Sequence, residues 1–251
     1  MNTKKFITDH LQNLGIKKKD NILVYSNLSG FGITDKSIAK IVLSSLLDKI
    51  GKQGSLVMPL YTFEKKNHFY DKRKIYLNSM TGLLNKEFFK KKGVLRSGCP
   101  IHSHIGFGKK VNFLKNSDYR TSFGGKSDFY HFYKNNYKLI LLGCSPQEGA
   151  TYLHHLEAVQ RVKYRKWIKL KRKVHDIELK KTKLIDVNFF ALKKNSTKYD
   201  LNKFFEKIKK KGARLKIVKI KYGKSFSISI KNLHKYSLNL LRINTKSLLK
   251  K

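Results

Sequence analysis

The sequence predicts an α/β fold in which a mixed β-sheet is sandwiched between helices within a single large domain. Three observations carry this. The first sixty residues alternate helix, strand, helix and strand, the signature of a sheet covered by helices. The chain of 251 residues is long enough to bury a sizeable core, and 40% of it is hydrophobic. No internal repeat and no long linker divides it, so residues 1–251 read as one domain.

The elements follow in order. Lys4 to Leu14 places Phe6, Leu11 and Leu14 at helical spacing and stops at Gly15. Asn21 to Tyr25 is a short apolar run with two β-branched residues, the pattern of a strand, and Ser26 to Gly32 follows as a loop rich in turn formers. Asp35 caps a helix from Lys36 to Ile50 that ends at Gly51. Ser55 to Leu60 reads as the next strand, and residues 64–78 as irregular polar chain. Gly82 to Lys90 is a helix with Leu83, Leu84, Phe88 and Phe89 as core candidates. Gly93 to His104 and Ser117 to Ser127 are loops. Lys138 to Leu142 is a strand closed by Gly143, followed by a loop to Ala150 and a helix from Thr151. Leu184 to Phe190 reads as a strand and Leu201 to Lys211 as a basic helix. Leu215 to Lys221 and Ser225 to Ile230 alternate and pair, and Asn232 to Leu241 is a last helix.

Composition narrows the class. With 56 Lys+Arg against 16 Asp+Glu the formal net charge is +40, a field that favours anionic ligands. The excess is diffuse and mostly lysine, as on a solvated surface. The lysine-rich stretches Lys163–Lys173 and Lys203–Lys221 have the charge to track phosphates, but no aromatic platform or RNA-binding signature accompanies them, so no specific nucleic acid is expected. No apolar run of about 18 residues exists, so no membrane span is expected. Two cysteines, Cys99 and Cys144, make no disulfide framework, which points to the cytoplasm. Cys99, His102 and His104 crowd one loop without a second ligand cluster at usable spacing, so no metal is expected.

The chemistry concentrates at His154 and Glu157. Between Phe129 and His175 the acidic residues are Glu148 and Glu157, which bracket His154. In a helix from Thr151, positions 154 and 157 share a face. An imidazole beside a carboxylate can take a proton from a nucleophile and hold the resulting cation. His154 in a first turn capped by Thr151 would be kept neutral by the positive helix end. His155 points elsewhere and reads as ordinary. Either Glu157 or Glu148 can orient the His154 ring. The loop Ser26, Asn27, Ser29 and Gly30 offers hydroxyl, amide and backbone donors suited to a pyrophosphate. Arg96, Ser97 and Ser103 are candidate partners of the same ligand.

Seven segments in order resemble the aminoglycoside 3-N-acetyltransferase (antibiotic N-acetyltransferase) family. They are Leu23 to Ser29, Gly54 to Thr62, Gly82 to Asn85, Arg96 to Ser103, Phe123 to Ser127, Ile140 to Gly143, and the Thr-x-Leu-His-x-x-Glu segment Thr151 to Glu157, with Lys166-Trp167 beyond. The resemblance is clear over 4–167 and weaker over the basic part 168–251. It implies acyl transfer from acetyl-CoA to an amino group of a sugar, direct and without an acyl-enzyme on Cys99. It also implies a place for Thr62 close to the acyl group. Tyr25, Asn27, Leu60 and Cys99 depart from the family pattern and keep a non-catalytic scaffold open as an alternative, and the lysine-rich second half keeps a basic nucleic-acid-binding protein open as another. A chain at +40 repels a polycation over long range. The expected acceptor is therefore an amino sugar on an anionic carrier, such as a nucleotide-linked sugar or a surface-glycan precursor, with an aminoglycoside antibiotic as the alternative.

Overall fold

The computed structural model describes residues 2–35, 37–62, 69–76, 82–176, 180–194 and 198–250. Residues 64–68 and 77–78 of the irregular stretch expected over 64–78 lie outside these residues. The helices are α1 (Thr3–Asn13), α2 (Ile38–Ile50), α3 (Leu83–Phe89), α4 (Phe113–Asn116), α5 (Asp128–Lys134), α6 (Pro146–Gly149), α7 (Tyr152–Val159), α8 (Leu201–Lys210) and α9 (Ile230–Ile243). The strands are β1 (Asn21–Ser26), β2 (Ser55–Pro59), β3 (Phe69–Tyr70), β4 (Leu95–Arg96), β5 (His104–Gly108), β6 (Lys138–Leu142), β7 (Arg165–Asp176), β8 (Lys181–Leu192), β9 (Lys216–Ile220) and β10 (Gly223–Ser229).

Seven strands form a mixed sheet in the order β4-β5-β2-β1-β6-β10-β9. Its centre is parallel, β1 pairing with β2 and β6, and its flanks are antiparallel. Successive side chains of a strand point to opposite faces, and here both faces are covered. Ile22 and Val24 of β1 pack with Leu56, Met58 and Ile140 under α1, α2 and α3. Leu23 and Tyr25 face the other way, with Leu139 and Leu141, into a core built by α5, α7, α8 and α9. The expected sheet between helical layers is thus the fold, and β9 and β10 pair as the alternation predicts.

Two strand regions depart from the sequence expectation. β4 lies inside the segment read as loop, and β5 begins at its last residue, His104, and runs beyond it, where Gly106 and Gly108 break the strand pattern. Gly106 is needed there, since a Cβ at this position would stand 2.7 Å from Leu114. The basic tract after Lys163 folds into β7, which pairs with β8 in a hairpin of two twelve-residue strands. Its apolar residues Leu170 and Val174 pack with Ile185, Val187, Cys99 and Ile101, while the lysines between them face outward. β3 adds to the hairpin to make a second, three-stranded sheet. Among the described residues no helix is long and apolar enough to cross a membrane.

Candidate active site

Helix α7 carries His154 and Glu157 one turn apart on one face, and the two side chains meet. His154 Nδ1 lies 2.7 Å from Glu157 Oε2. Glu157 is fully buried, whereas the His154 side chain keeps 21% of its surface exposed. Thr151 occupies the N-cap position but makes no side-chain capping bond, so the helix end is not closed as the sequence suggests.

Around Glu157 the structure gathers groups from distant parts of the chain. Tyr164 Oη donates to Oε1 at 2.6 Å, Tyr199 Oη donates to the same oxygen at 2.9 Å, and Arg165 Nε reaches Oε2 at 2.9 Å. Arg165 Nε also donates to Tyr199 Oη at 2.7 Å, and its Nη1 donates to the Phe190 carbonyl. Burial alone would raise the Glu157 carboxyl, but His154, Arg165 and the Tyr164 hydrogen bond outweigh it and hold the group below the ordinary carboxylate range. An ionised Glu157 accepts the Nδ1 proton of His154. Arg165 Nη2, 3.2 Å from the same nitrogen, is then a neighbour rather than its donor. This fixes the tautomer and leaves the Nε2 lone pair as the proton acceptor. Arg165, Tyr164 and Tyr199 carried no signal in the sequence; a buried carboxylate's partners are found only once the chain is folded.

Glu148 does not compete for His154 in this arrangement. Its Oε2 accepts from Ser145 N and Oγ, both at 2.7 Å, in a capping box, and its Oε1 accepts from Asn27 Nδ2 at 3.4 Å. Thr62 is buried; its hydroxyl donates to the Pro100 carbonyl at 2.8 Å and its N–H to Ile101 O at 2.9 Å. Both donors of Thr62 are therefore spent on tying two loops together. His155 accepts from Gly124 N at 3.2 Å, and burial lowers it to about 3. Burial pushes the Cys99 thiol up to about 11, the reverse of what an activated nucleophile needs.

The candidate phosphate loop stands apart from His154, beside a cavity of about 1210 Å³. Asn27, Ser29, Gly30, Gly143 and Ser145 line one side, and Lys209, Lys210 and Lys224 line the other. Glycine is required at this floor. A Cβ on Gly30 would stand 2.8 Å from the Gly143 carbonyl, and one on Gly143, at φ +72°, would stand 2.4 Å from Asn27 O. Ser26 ends β1, half-buried and outside the lining. Arg96, Ser97 and Ser103 are not brought to the cavity. Arg96 stacks on Tyr70 and donates to Ser103 Oγ and the Leu60 carbonyl, each at 3.1 Å, and Ser97 Oγ donates to Asp128 at 2.6 Å. Their polar atoms bond the interior of the protein rather than face a ligand.

A mixed sheet between helices, with a His–Glu pair on α7 and a glycine-floored cavity lined by Lys209, Lys210 and Lys224 beside Glu148 and Glu206, is the arrangement the chain presents. Residues 23–242 match the aminoglycoside 3-N-acetyltransferase family, and the chain belongs to it. The match runs well past residue 167, where the motifs in the sequence fade. The chain is similar to the aminoglycoside N(3)-acetyltransferase III of Salmonella sp, 25% identical over 187 residues that cover 67% of this chain and 64% of that protein. It thus spans just under two thirds of the length of the curated relative. It is also similar to YokD of Bacillus subtilis, an SPbeta prophage-derived aminoglycoside N(3')-acetyltransferase-like protein, 27% identical over 188 residues covering 66% of this chain and 68% of YokD. The YokD crystal structure superposes with a TM-score of 0.81 at 20% identity, covering 96% of this chain and 99% of that one. The structure of AAC-IIIb as a binary complex with CoASH superposes with a TM-score of 0.80 at 16% identity, covering 96% of each chain. At these identities the superpositions establish the shared fold.

Proposed function

We propose that this protein is an acetyl-CoA-dependent N-acetyltransferase acting on an amino group of an amino sugar, with an aminoglycoside as the acceptor class. The observation that carries the chemistry is the His154 Nδ1 to Glu157 contact of 2.7 Å, with Glu157 buried and His154 reachable from solvent. An amine must lose a proton as it acylates. His154 Nε2 accepts that proton, and Glu157, kept ionised by Arg165 and the two tyrosines, stabilises the imidazolium. The family and the names of its relatives support acetyl transfer to an aminoglycoside over the anionic-carrier acceptor that the net charge suggests.

The acetyl donor fits the glycine-floored cavity. Asn27, Ser29 and the Gly30 backbone would hold it from one side and Lys209, Lys210 and Lys224 would meet its phosphates from the other. When bound it supplies the thioester acetyl group. A cytoplasmic location goes with this reading, since Cys99 and Cys144 are both free thiols. The second acceptor, an amino sugar on an anionic carrier, is favoured by Arg161, Lys163, Lys166 and Lys193, which line one cavity near the site.

The test has two stages. Acetyl-CoA at 100 times its dissociation constant should stabilise the protein by about 2.7 kcal/mol. Release of the CoA thiol is then followed with sisomicin and, separately, with a nucleotide-linked amino sugar. Turnover of sisomicin confirms the aminoglycoside reading, turnover of the nucleotide sugar alone replaces it with the second, and no stabilisation by acetyl-CoA removes both.

A further inference from the structure

We infer that the acceptor amine docks against the indole of Trp167, on the side where Asp118 and Phe123 lie; this rests on the N-acetyltransferase reading above. Trp167 is the only tryptophan in the chain. It follows Arg165 by two residues on β7 and is 46% exposed, with its ring packed on Phe190 at a centroid distance of 4.8 Å. A single exposed apolar side chain is ordinary by itself. Trp167 differs in lining two cavities at once, of about 440 and 450 Å³.

One lining residue of each cavity contacts His154. Phe123 lines the first, and its ring stands edge-on to the His154 imidazole with centroids 6.3 Å apart. Arg165 lines the second and reaches His154 Nδ1 at 3.2 Å. Their charges are opposite in consequence. The second holds Arg161, Lys163, Lys166 and Lys193, which repel an ammonium. The first holds the carboxylate of Asp118 and the amide of Asn188, with Lys126 as its lone cation among the described residues. An amine arriving at this site is therefore turned to the Asp118 side.

That side is also built rather than merely open. Asp118 Oδ1 accepts from Arg120 N at 2.9 Å, and Asp118 N donates to Lys126 O at 3.0 Å. Asn188 N donates to Arg120 O at 2.8 Å, which ties the loop to β8. An ammonium over the face of a tryptophan is attracted by the ring quadrupole, and the same face packs the C–H surface of a sugar ring. A cavity of about 440 Å³ suits one such ring, so the reacting amino sugar docks here and the remaining rings stay outside.

The sole tryptophan is its own reporter. Titration of the wild-type protein with sisomicin should change the Trp167 emission saturably, with or without acetyl-CoA. Trp167→Ala should raise the KM for sisomicin about tenfold with a smaller effect on kcat, and Trp167→Phe, which keeps the packing on Phe190, should recover most of it. Asp118→Asn should weaken the fluorescence titration about fivefold while leaving stabilisation by acetyl-CoA intact. Acetylation of sisomicin by Trp167→Ala at the wild-type KM would overturn this docking site and leave the enzyme reading standing. Loss of acetyl-CoA stabilisation in the wild type would overturn the enzyme reading and the docking site with it.

Discussion

Two histidine–carboxylate pairs in this molecule have the same length but opposite surroundings. His104 Nδ1 lies 2.7 Å from Asp128 Oδ2, and His154 Nδ1 lies 2.7 Å from Glu157 Oε2. The His104 side chain is fully buried, and its other nitrogen faces Tyr61 Oη at 3.3 Å, which in turn meets Tyr25 Oη at 2.6 Å. Asp128 also accepts from Ser97 and Ser117. Burial pushes both tyrosine hydroxyls up, so the tyrosines stay neutral. His154 differs in one respect: among the described residues no hydrogen bond holds its Nε2, and the ring reaches solvent. The short contact orients each histidine; the exposed far nitrogen of His154 is what the proposed base role rests on.

This contrast can be broken by substitution. The largest expected effect is His154→Ala, which should lower kcat about 10²–10⁴-fold in an acetyl-transfer assay with little change in unfolding free energy. A kcat within a factor of three of wild type would remove His154 from the chemistry. Asp128→Ala should do the converse. It strands Ser97, Ser117 and His104 without their acceptor and should cost about 3–5 kcal/mol in urea denaturation, while activity per folded molecule stays close to wild type.

A third histidine sharpens the role of burial. His155 is lowered to about 3 by burial, against 6.5 in the unfolded chain. The unfolded state therefore binds the extra proton between these values. Stability is fully present above pH 6.5 and is lost as pH falls toward 3, at up to about 1.4 kcal/mol per pH unit. His155→Asn should remove that slope between pH 6 and 4; an unchanged slope would assign it to other groups. The smallest effect is expected from Tyr199→Phe, which removes one of the hydrogen bonds on Glu157. It should cost about 1 kcal/mol of stability and shift the acidic limb of the kcat/KM profile. A profile identical to wild type would make Tyr199 merely structural.

The regions also differ in how openly the sequence shows them. The His154–Glu157 pair was visible because a helix places residues three apart on one face, and because acidic residues are scarce around it. The Asn27 to Gly30 loop was visible for its turn chemistry. Arg96, Ser97 and Ser103 have the same kind of residues, yet folding points them inward. Loop polarity alone does not tell a ligand's donor from a buried hydrogen bond.

The opening order of α1, β1, α2 and β2 and the pairing of β9 with β10 follow from the sequence itself, because hydrophobic periodicity is a local property. Tertiary structure alone decided that Glu157 rather than Glu148 meets His154, since Ser145 and Asn27 claim the other carboxylate. It alone brought Arg165 and Tyr199 onto Glu157 and turned a basic tract into β7, with Trp167 beside the site. Those outcomes depend on which distant groups arrive to share one buried charge, and no spacing along the chain encodes that.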